Sequence, residues 1–437
     1  MRILLAGLLL TAVSAPAAFA QAPPQVTYIH AGHLIDRPGE TPRGASTIIV
    51  RDGKVAEIRD GLVPAESGAK LVDLSRATVL PGLIDMHVHL LGIGGDPMRA
   101  RLLGLTTEPE DNVFYGAGNA RRTLEAGFTT VRDLGGSARG IRALRDSIER
   151  GDVSGPTIVN AGEPISVTGG HGDPLNGLAE PFAHAVAESV ENTCDGPDDC
   201  RRAVRRQVGL GAQVIKFMAT GGVLSNVSGG LGRAMQPDEM KAIVETAHTL
   251  GRKTAAHSHA AEGTRAAVEA GVDSIEHGTF LDDATIKAMK AHGTWLVPTM
   301  LAPRAALAQA RGGMLPPATI PKAEQAAAAA FESHRRAIAA GVKVAFGTDT
   351  GVSKHGDNAQ EFALMVAAGM TPAAAIKAAT SGAAELLDRP GLGRIAPGLT
   401  ADIIAVDGDP LADVRQLEDV DFVMKGGVII KQVETSK

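Results

Sequence analysis

The sequence predicts an α/β protein, a (β/α)8 barrel joined to a small β-sandwich domain that both chain ends build. Two observations predict it. Eight short strand-like runs alternate with helical segments between residues 83 and 349, and most of those segments end in glycine. A βα unit repeated eight times calls for a closed parallel barrel of the TIM type. Runs rich in Val, Ile and Thr lie before residue 81 and return only near the far end. The expected organisation is a leader over 1–20, a β domain from 21–80 and 390–437, and a barrel over 81–389.

The elements follow in order. "QVTYIHAGHLID", "STIIVRDGKVAEIR" and "KLVDLSRATVLPGLID" read as strands. "RDGK" reads as a hairpin turn, because Asp-Gly supplies the backbone angles such a turn needs. The barrel strands are expected at 83–89, 128–134, 156–162, 213–219, 253–259, 272–278, 294–299 and 342–349. Helical segments such as "RTLEAG", "TRAAVEAG", "IKAMKAHG" and "RRAIAAG" close on a glycine that suits a left-handed cap. The spacing between units is uneven, which excludes a solenoid. The Ala-rich "AEQAAAAAFESHRRAIAAG" is read as a barrel helix. "ADIIAVDGDP" and "VDFVMKGGVIIKQ" return the chain to the β domain.

With 437 residues, 44% hydrophobic and 21% charged, the chain is long enough for a large and a small domain and is globular. Aromatics make up only 3% and the net charge is −6 with no basic run. That argues against nucleic-acid partners, which need stacking platforms and cationic surface. "MRILLAGLLLTAVSAPAAFA" has a basic start, an apolar stretch too short to span a bilayer and an Ala-Phe-Ala end. It reads as a signal peptide cleaved after Ala20, the alternative being an uncleaved anchor. A secreted or periplasmic location follows, with no membrane contact after cleavage. Cys194 and Cys200 flank a Gly-Pro turn. In an oxidising compartment they are expected to pair, the alternative being free thiols.

Chemistry in such a barrel sits at the C-terminal strand ends. Strand 1 ends on His87 and His89, which alternation sends to one face about 6–7 Å apart along the chain. Lys216 lies within the apolar "VIKFM" of strand 4, and His257, His277 and Asp349 end strands 5, 6 and 8. Each alone has a dull alternative: a core histidine, a snorkelling lysine, a helix-capping aspartate. Together they read as a metal site. Four imidazoles and a carboxylate exceed what one zinc needs. Two ions would use them fully, provided an anion bridges the dications. A Lys216 carbamylated by CO2 would supply one.

"PGLIDMHVH", "VIKFMATGG", "AAHSHAAEG", "SIEHGT", "AFGTDTG" and "GLGRIAPGLTADIIAVD" together resemble the amidohydrolase superfamily. The branch is that of imidazolonepropionase-like and prolidase-like metallopeptidases, with ochratoxin-hydrolysing amidohydrolases among the relatives. The resemblance spans about residues 26 to 433. It implies two Zn2+, one on His87, His89 and Asp349 and the other on His257 and His277, bridged by carboxylated Lys216 and hydroxide. The hydroxide would attack a carbonyl, with Asp349 as base and then acid. It implies a homo-oligomer and a dipeptide or other small-molecule substrate.

The expected activity is cleavage of an amide in dipeptides or N-acyl amino acids, ochratoxin-like N-acyl phenylalanine included. A cyclic-amide hydrolase of the imidazolone or hydantoin kind is the alternative, and a non-catalytic binding protein is a third. His171, in "SVTGGHGDP", resembles a histidine near the substrate in the peptidase branch, with a loop hydrogen bond as the alternative. Relatives can carry a Tyr near the end of the strand 4 loop, where this chain has Ala234 and Met235. Arg233 is the candidate substitute, or else a solvated surface group. His259, two residues after His257, is expected to face the same cavity. Trp295 is read as core packing.

Overall fold

The computed structural model describes residues 26–176, 178–223, 230–314 and 320–433. The leader lies outside them. Fourteen strands are found among the described residues. β1 (Val26–Leu34), β2 (Ser46–Arg51), β3 (Lys54–Asp60) and β4 (Lys70–Pro81) come from the front of the chain. β5 (Leu83–Val88), β6 (Phe128–Asp133), β7 (Thr157–Asn160), β8 (Val214–Met218), β9 (Lys253–Ala260), β10 (Ser274–Phe280) and β11 (Trp295–Val297) alternate with helices. β12 (Ile403–Asp407), β13 (Phe422–Lys425) and β14 (Val428–Gln432) close the chain.

Both chain ends meet in one seven-stranded sheet, ordered β14-β13-β12-β4-β1-β2-β3. The Asp52-Gly53 turn forms as the sequence predicts, with φ of 48° and 77°. A Cβ on Gly427, in the β13–β14 turn, would sit 2.5 Å from the Cα of Gly53. The two hairpin turns, one from each end, therefore touch only because both positions lack side chains. Alternation along β12 splits its residues between two cores. Ile403 and Ala405 join Ile29, Ile48 and Phe422 on one face. Ile404 and Val406 join Leu124 and Phe128 on the other, tying this sheet to the α/β body.

The body holds two parallel sheets, β5-β6-β7 and β11-β10-β9-β8. Two extended segments bridge them. Ile165, beyond β7, pairs with Phe217 of β8. Its amide donates to Lys216 O at 2.8 Å, and Met218 N donates back to its carbonyl at 2.9 Å. On the other side Val344 pairs with Leu296 and Thr350 with Val88. The eighth expected strand, 342–349, is thus no regular strand but an extended run held at isolated bridges. Gly347 lets this run pass close to β11, since a Cβ there would meet Val297 Cγ1 at 2.3 Å. The expected strands 156–162 and 294–299 shorten to the ranges given above.

Gly127, Gly251, Gly271, Gly293 and Gly341, which follow the predicted helices, all have positive φ. Cys194 and Cys200 form a disulfide. Trp295 is partly buried against Ile84, Met86 and Val297, with Lys343 Nζ 5.1 Å above its ring. No helix among the described residues is long and apolar enough to cross a membrane.

Candidate metal centre and its cavity

The C-terminal ends of the parallel strands open on a cavity of about 320 Å³. His87, His89, Lys216, His257, His277 and Asp349 all line it, and so do His171 and His259. The strand ends deliver these groups. His87 sits in β5 and His89 just past it, so the i, i+2 rule aims both inward, with ring centroids 5.3 Å apart. His257 and His259 repeat the pattern in β9 at 4.6 Å. His277 lies 4.6 Å from His257 and 5.1 Å from His87. Asp349 Oδ1 lies 3.1 Å from His89 Nε2 and 3.7 Å from His87 Nε2. These three residues offer donor atoms all within 4.8 Å of one another.

Five of these imidazoles, all but His171, spend one nitrogen on a partner. His87 Nδ1 donates to Glu276 Oε2 at 2.9 Å and His89 Nδ1 to Gly135 O at 2.9 Å. His277 Nδ1 pairs with Thr299 Oγ1 and His259 Nδ1 with Thr279 Oγ1, both at 2.7 Å. His257 uses the opposite atom, its Nε2 lying 3.3 Å from Gly221 O. Such partners set tautomer and ring orientation. Burial lowers the pKa of His87 to about 4 and of His259 to about 3, and holds His257 and His277 well below the usual range. Those rings are neutral at pH 7, with a lone pair available. Lys216 is buried in β8, and burial brings its amine down to about 8. Burial works to raise Asp349, but the charge of His87, the hydrogen bond and charge of His89 and the charge of Lys216 outweigh it, giving about 2.

The backbone is strained here. Five non-glycine residues among those described have positive φ, and three sit at this site: His277 at 71°, Thr299 at 49° and Asp349 at 56°. A β-branched residue in that region is a genuine outlier, and such strain collects at functional sites.

His171 faces the cavity 4.4 Å from the His257 ring, and its buried Nδ1 has no partner among the described residues. Gly222 gives it room, since a Cβ there would lie 2.4 Å from the ring. Arg233 lies with the surface alternative. Its guanidinium pairs with Glu262 Oε1 at 3.0 Å and does not line the cavity. It follows β8 on a stretch that pairs with Thr220 and turns outward, where Glu262 neutralises it.

Sequence reasoning missed the residues behind the cavity histidines. Arg132 Nη2 donates to Glu276 Oε1 at 2.8 Å, its Nη1 to Ser274 Oγ and its Nε to Met86 O. Strict alternation would send Glu276 and His277 to opposite faces; the left-handed backbone at His277 breaks it. An arginine inside the apolar run of strand 2 was the available signal. Asp85 accepts from Thr348 and Asn358, joining β5 to the Asp349 segment. Glu361 accepts from Met300 N at 2.8 Å and Leu301 N at 2.7 Å.

Parallel strands that converge histidines, a lysine and an aspartate on one pocket define the class: a mixed α/β hydrolytic enzyme with a candidate metal centre. Residues 78–430 match the Amidohydrolase family, and the chain belongs to that family. It is 33% identical over 426 residues to an ochratoxinase of Aspergillus niger, covering 93% of this chain and 87% of that protein. It is 28% identical to an imidazolonepropionase of Nocardia farcinica, covering 84% and 88%. Among solved structures it resembles a Xaa-Pro dipeptidase with methionine bound in the active site, at TM-score 0.88 and 39% identity, covering 93% and 99%. The chain is a hydrolase acting on amide bonds, which sets the non-catalytic alternative aside. Members of its superfamily commonly use a divalent metal, and small-molecule substrates are expected.

Proposed function

We propose that the chain is a binuclear zinc amidohydrolase that cleaves the amide bond of dipeptides or N-acyl amino acids, N-acyl phenylalanines such as ochratoxin included. The observation that carries this reading is the arrangement of spent and unspent ring nitrogens around Asp349 and Lys216. The donor set fits the metal: the neutral imidazoles of His87, His257 and His277, His89 paired with an ionised Asp349 carboxylate, and a buried amine. His87, His89 and Asp349 would hold one ion and His257 and His277 the other. Lys216, with its lowered pKa, offers neutral amine to CO2, and the resulting carbamate would bridge. The similarity to the ochratoxinase and to the methionine-bound dipeptidase supports an amino-acid amide as substrate.

When bound, the ions would supply a water of lowered pKa and polarise the carbonyl. Asp349, ionised at neutral pH, takes the proton released on attack and returns it to the leaving amine nitrogen. His171 offers its unpartnered Nδ1 to a substrate oxygen. His259, held by Thr279, lines the same space.

The reading extends to the rest of the chain. The two parallel sheets, the bridging segment beyond β7 and the 343–350 segment are taken as one (β/α)8 barrel over 81–389. The terminal sheet is taken as the β-sandwich domain of 21–80 and 390–437. Residues 1–20 are taken as a signal peptide, so that the mature secreted or periplasmic protein starts at Gln21 and assembles as a homo-oligomer. N-terminal sequencing of exported protein and light scattering test those two points.

The central test is metal analysis with a substrate panel. Metal should approach two per chain, EDTA should abolish hydrolysis, and Lys216→Ala should lower metal content. Dipeptides and N-acyl amino acids should be cut. The imidazolonepropionase similarity keeps a cyclic amide as second reading, and hydantoin-like rings cut in their place would favour it.

A further inference from the structure

Part of the cavity wall is apolar. Helix Leu301–Arg311 turns Ala302 and Ala306 to it, and helix Ile320–Ala339 turns Ala326 and Ala330. Each pair is spaced i, i+4, so both Cβ atoms lie on one helix face. The two helices pack against each other. The first is pinned at its start by Glu361, which accepts the amides of Met300 and Leu301. It is pinned near its end by Gln309 Nε2, which donates to Val352 O at 2.8 Å. Four alanines on a fixed wall leave space that larger side chains would fill. Water in such a space finds few partners. Elsewhere in the lining, the buried Nδ1 of His171 has no partner among the described residues. An occupant that suits both is apolar at one end and polar at the other.

We propose that this wall receives a bulky apolar group beside the scissile amide, and that Ala302, Ala306, Ala326 and Ala330 set the size admitted. The proposal rests on the amide-hydrolase reading above. The group belongs either to the amine-side residue or to the acyl side; the chemistry of recognition is the same. An apolar pocket discriminates one methylene by roughly 10- to 200-fold, so a full side chain gives a readable effect.

The experiment measures kcat/KM for the metal-loaded full chain on two series. N-acetyl-glycine, -alanine, -leucine and -phenylalanine vary the amine side. N-acetyl-, N-butyryl- and N-hexanoyl-glycine vary the acyl side. The expected result is a rise of tenfold or more from smallest to bulkiest in one series, which assigns the side. Ala306→Leu and, separately, Ala330→Leu should each cut that ratio by tenfold or more. The two variants lie on different helices, and thermal melting with metal analysis identifies either one that misfolds. A flat response in both series, or folded variants that scale every substrate equally, overturns the proposal while leaving amide hydrolysis intact. Failure to cut any linear amide overturns the amide-hydrolase reading itself, and this inference with it.

Discussion

Glu276 Oε2 lies 2.9 Å from His87 Nδ1, and both side chains are at most 1% exposed. Burial alone would raise the Glu276 carboxyl. The Arg132 charge, the His87 hydrogen bond and the charges of His87 and Lys216 outweigh that and hold it at about 2. Glu276 is thus an anion that fixes one imidazole while Arg132 fixes it.

Glu276→Gln keeps the shape and removes the charge. The expected result is a metal affinity lower by about 10- to 100-fold, read by competition with a chelator. Arg132 is left buried without its counter-ion, so urea unfolding should report a loss of about 3–5 kcal/mol. Full affinity in the variant would refute the orienting role.

Asp349→Asn tests the proton carrier. Asparagine tolerates the positive φ of 56° that this position requires, so the fold should persist. The expected loss in kcat is about 10²- to 10⁴-fold. Metal content is measured alongside, because Asp349 is also a proposed ligand. A metal-loaded variant with near-normal kcat would remove Asp349 from the chemistry.

Glu361 gives a pH prediction. Burial raises its carboxyl from 4.5 to about 8, against the hydrogen bonds from Met300 and Leu301. Between those values the folded state keeps a proton that the unfolded state has lost. Stability from this group therefore falls as pH rises from about 4.5 to about 8. Glu361→Gln should flatten that slope in urea midpoints taken from pH 5 to 8.5. Asp85, raised by burial to about 6, leaves a smaller slope of the same sign below that pH. An unaltered slope in Glu361→Gln would contradict the assignment.

The Cys194–Cys200 disulfide closes a short loop, so its stabilisation should be modest, about 2 kcal/mol. Its neighbours matter more. Cys194 N donates to Ser166 O at 2.8 Å, and Thr168 Oγ1 donates to Asp195 Oδ2 at 2.6 Å. These contacts hold the segment that carries His171. Reduction, or Cys194→Ala with Cys200→Ala, should raise KM more than it lowers kcat. Equal effects on both, or none, would show that the clamp does not serve the site.

Much of the cavity lining was legible because its residues end strands whose alternation is local. His87 and His89 are two apart, as are His257 and His259, and the peptide geometry alone aims each pair. The eighth strand was less legible. Its residues read as a strand, but Gly347 must pass against Val297, and the segment is held at isolated bridges instead. Arg233 stayed open between a substrate contact and a surface group because the sequence does not reveal that Glu262 lies beside it.

By itself the sequence determined the βα order, the hairpin at Asp52-Gly53, the helix-ending glycines and the residue types at the cavity. These follow from chain geometry over a few residues. Tertiary structure alone decided which groups stand behind the cavity histidines and what walls the pocket. His87 and Glu276 are 189 residues apart, and Arg132 and Glu276 are 144 apart. No local periodicity encodes such pairs; they exist because burial makes an unpaired charge too costly to leave alone.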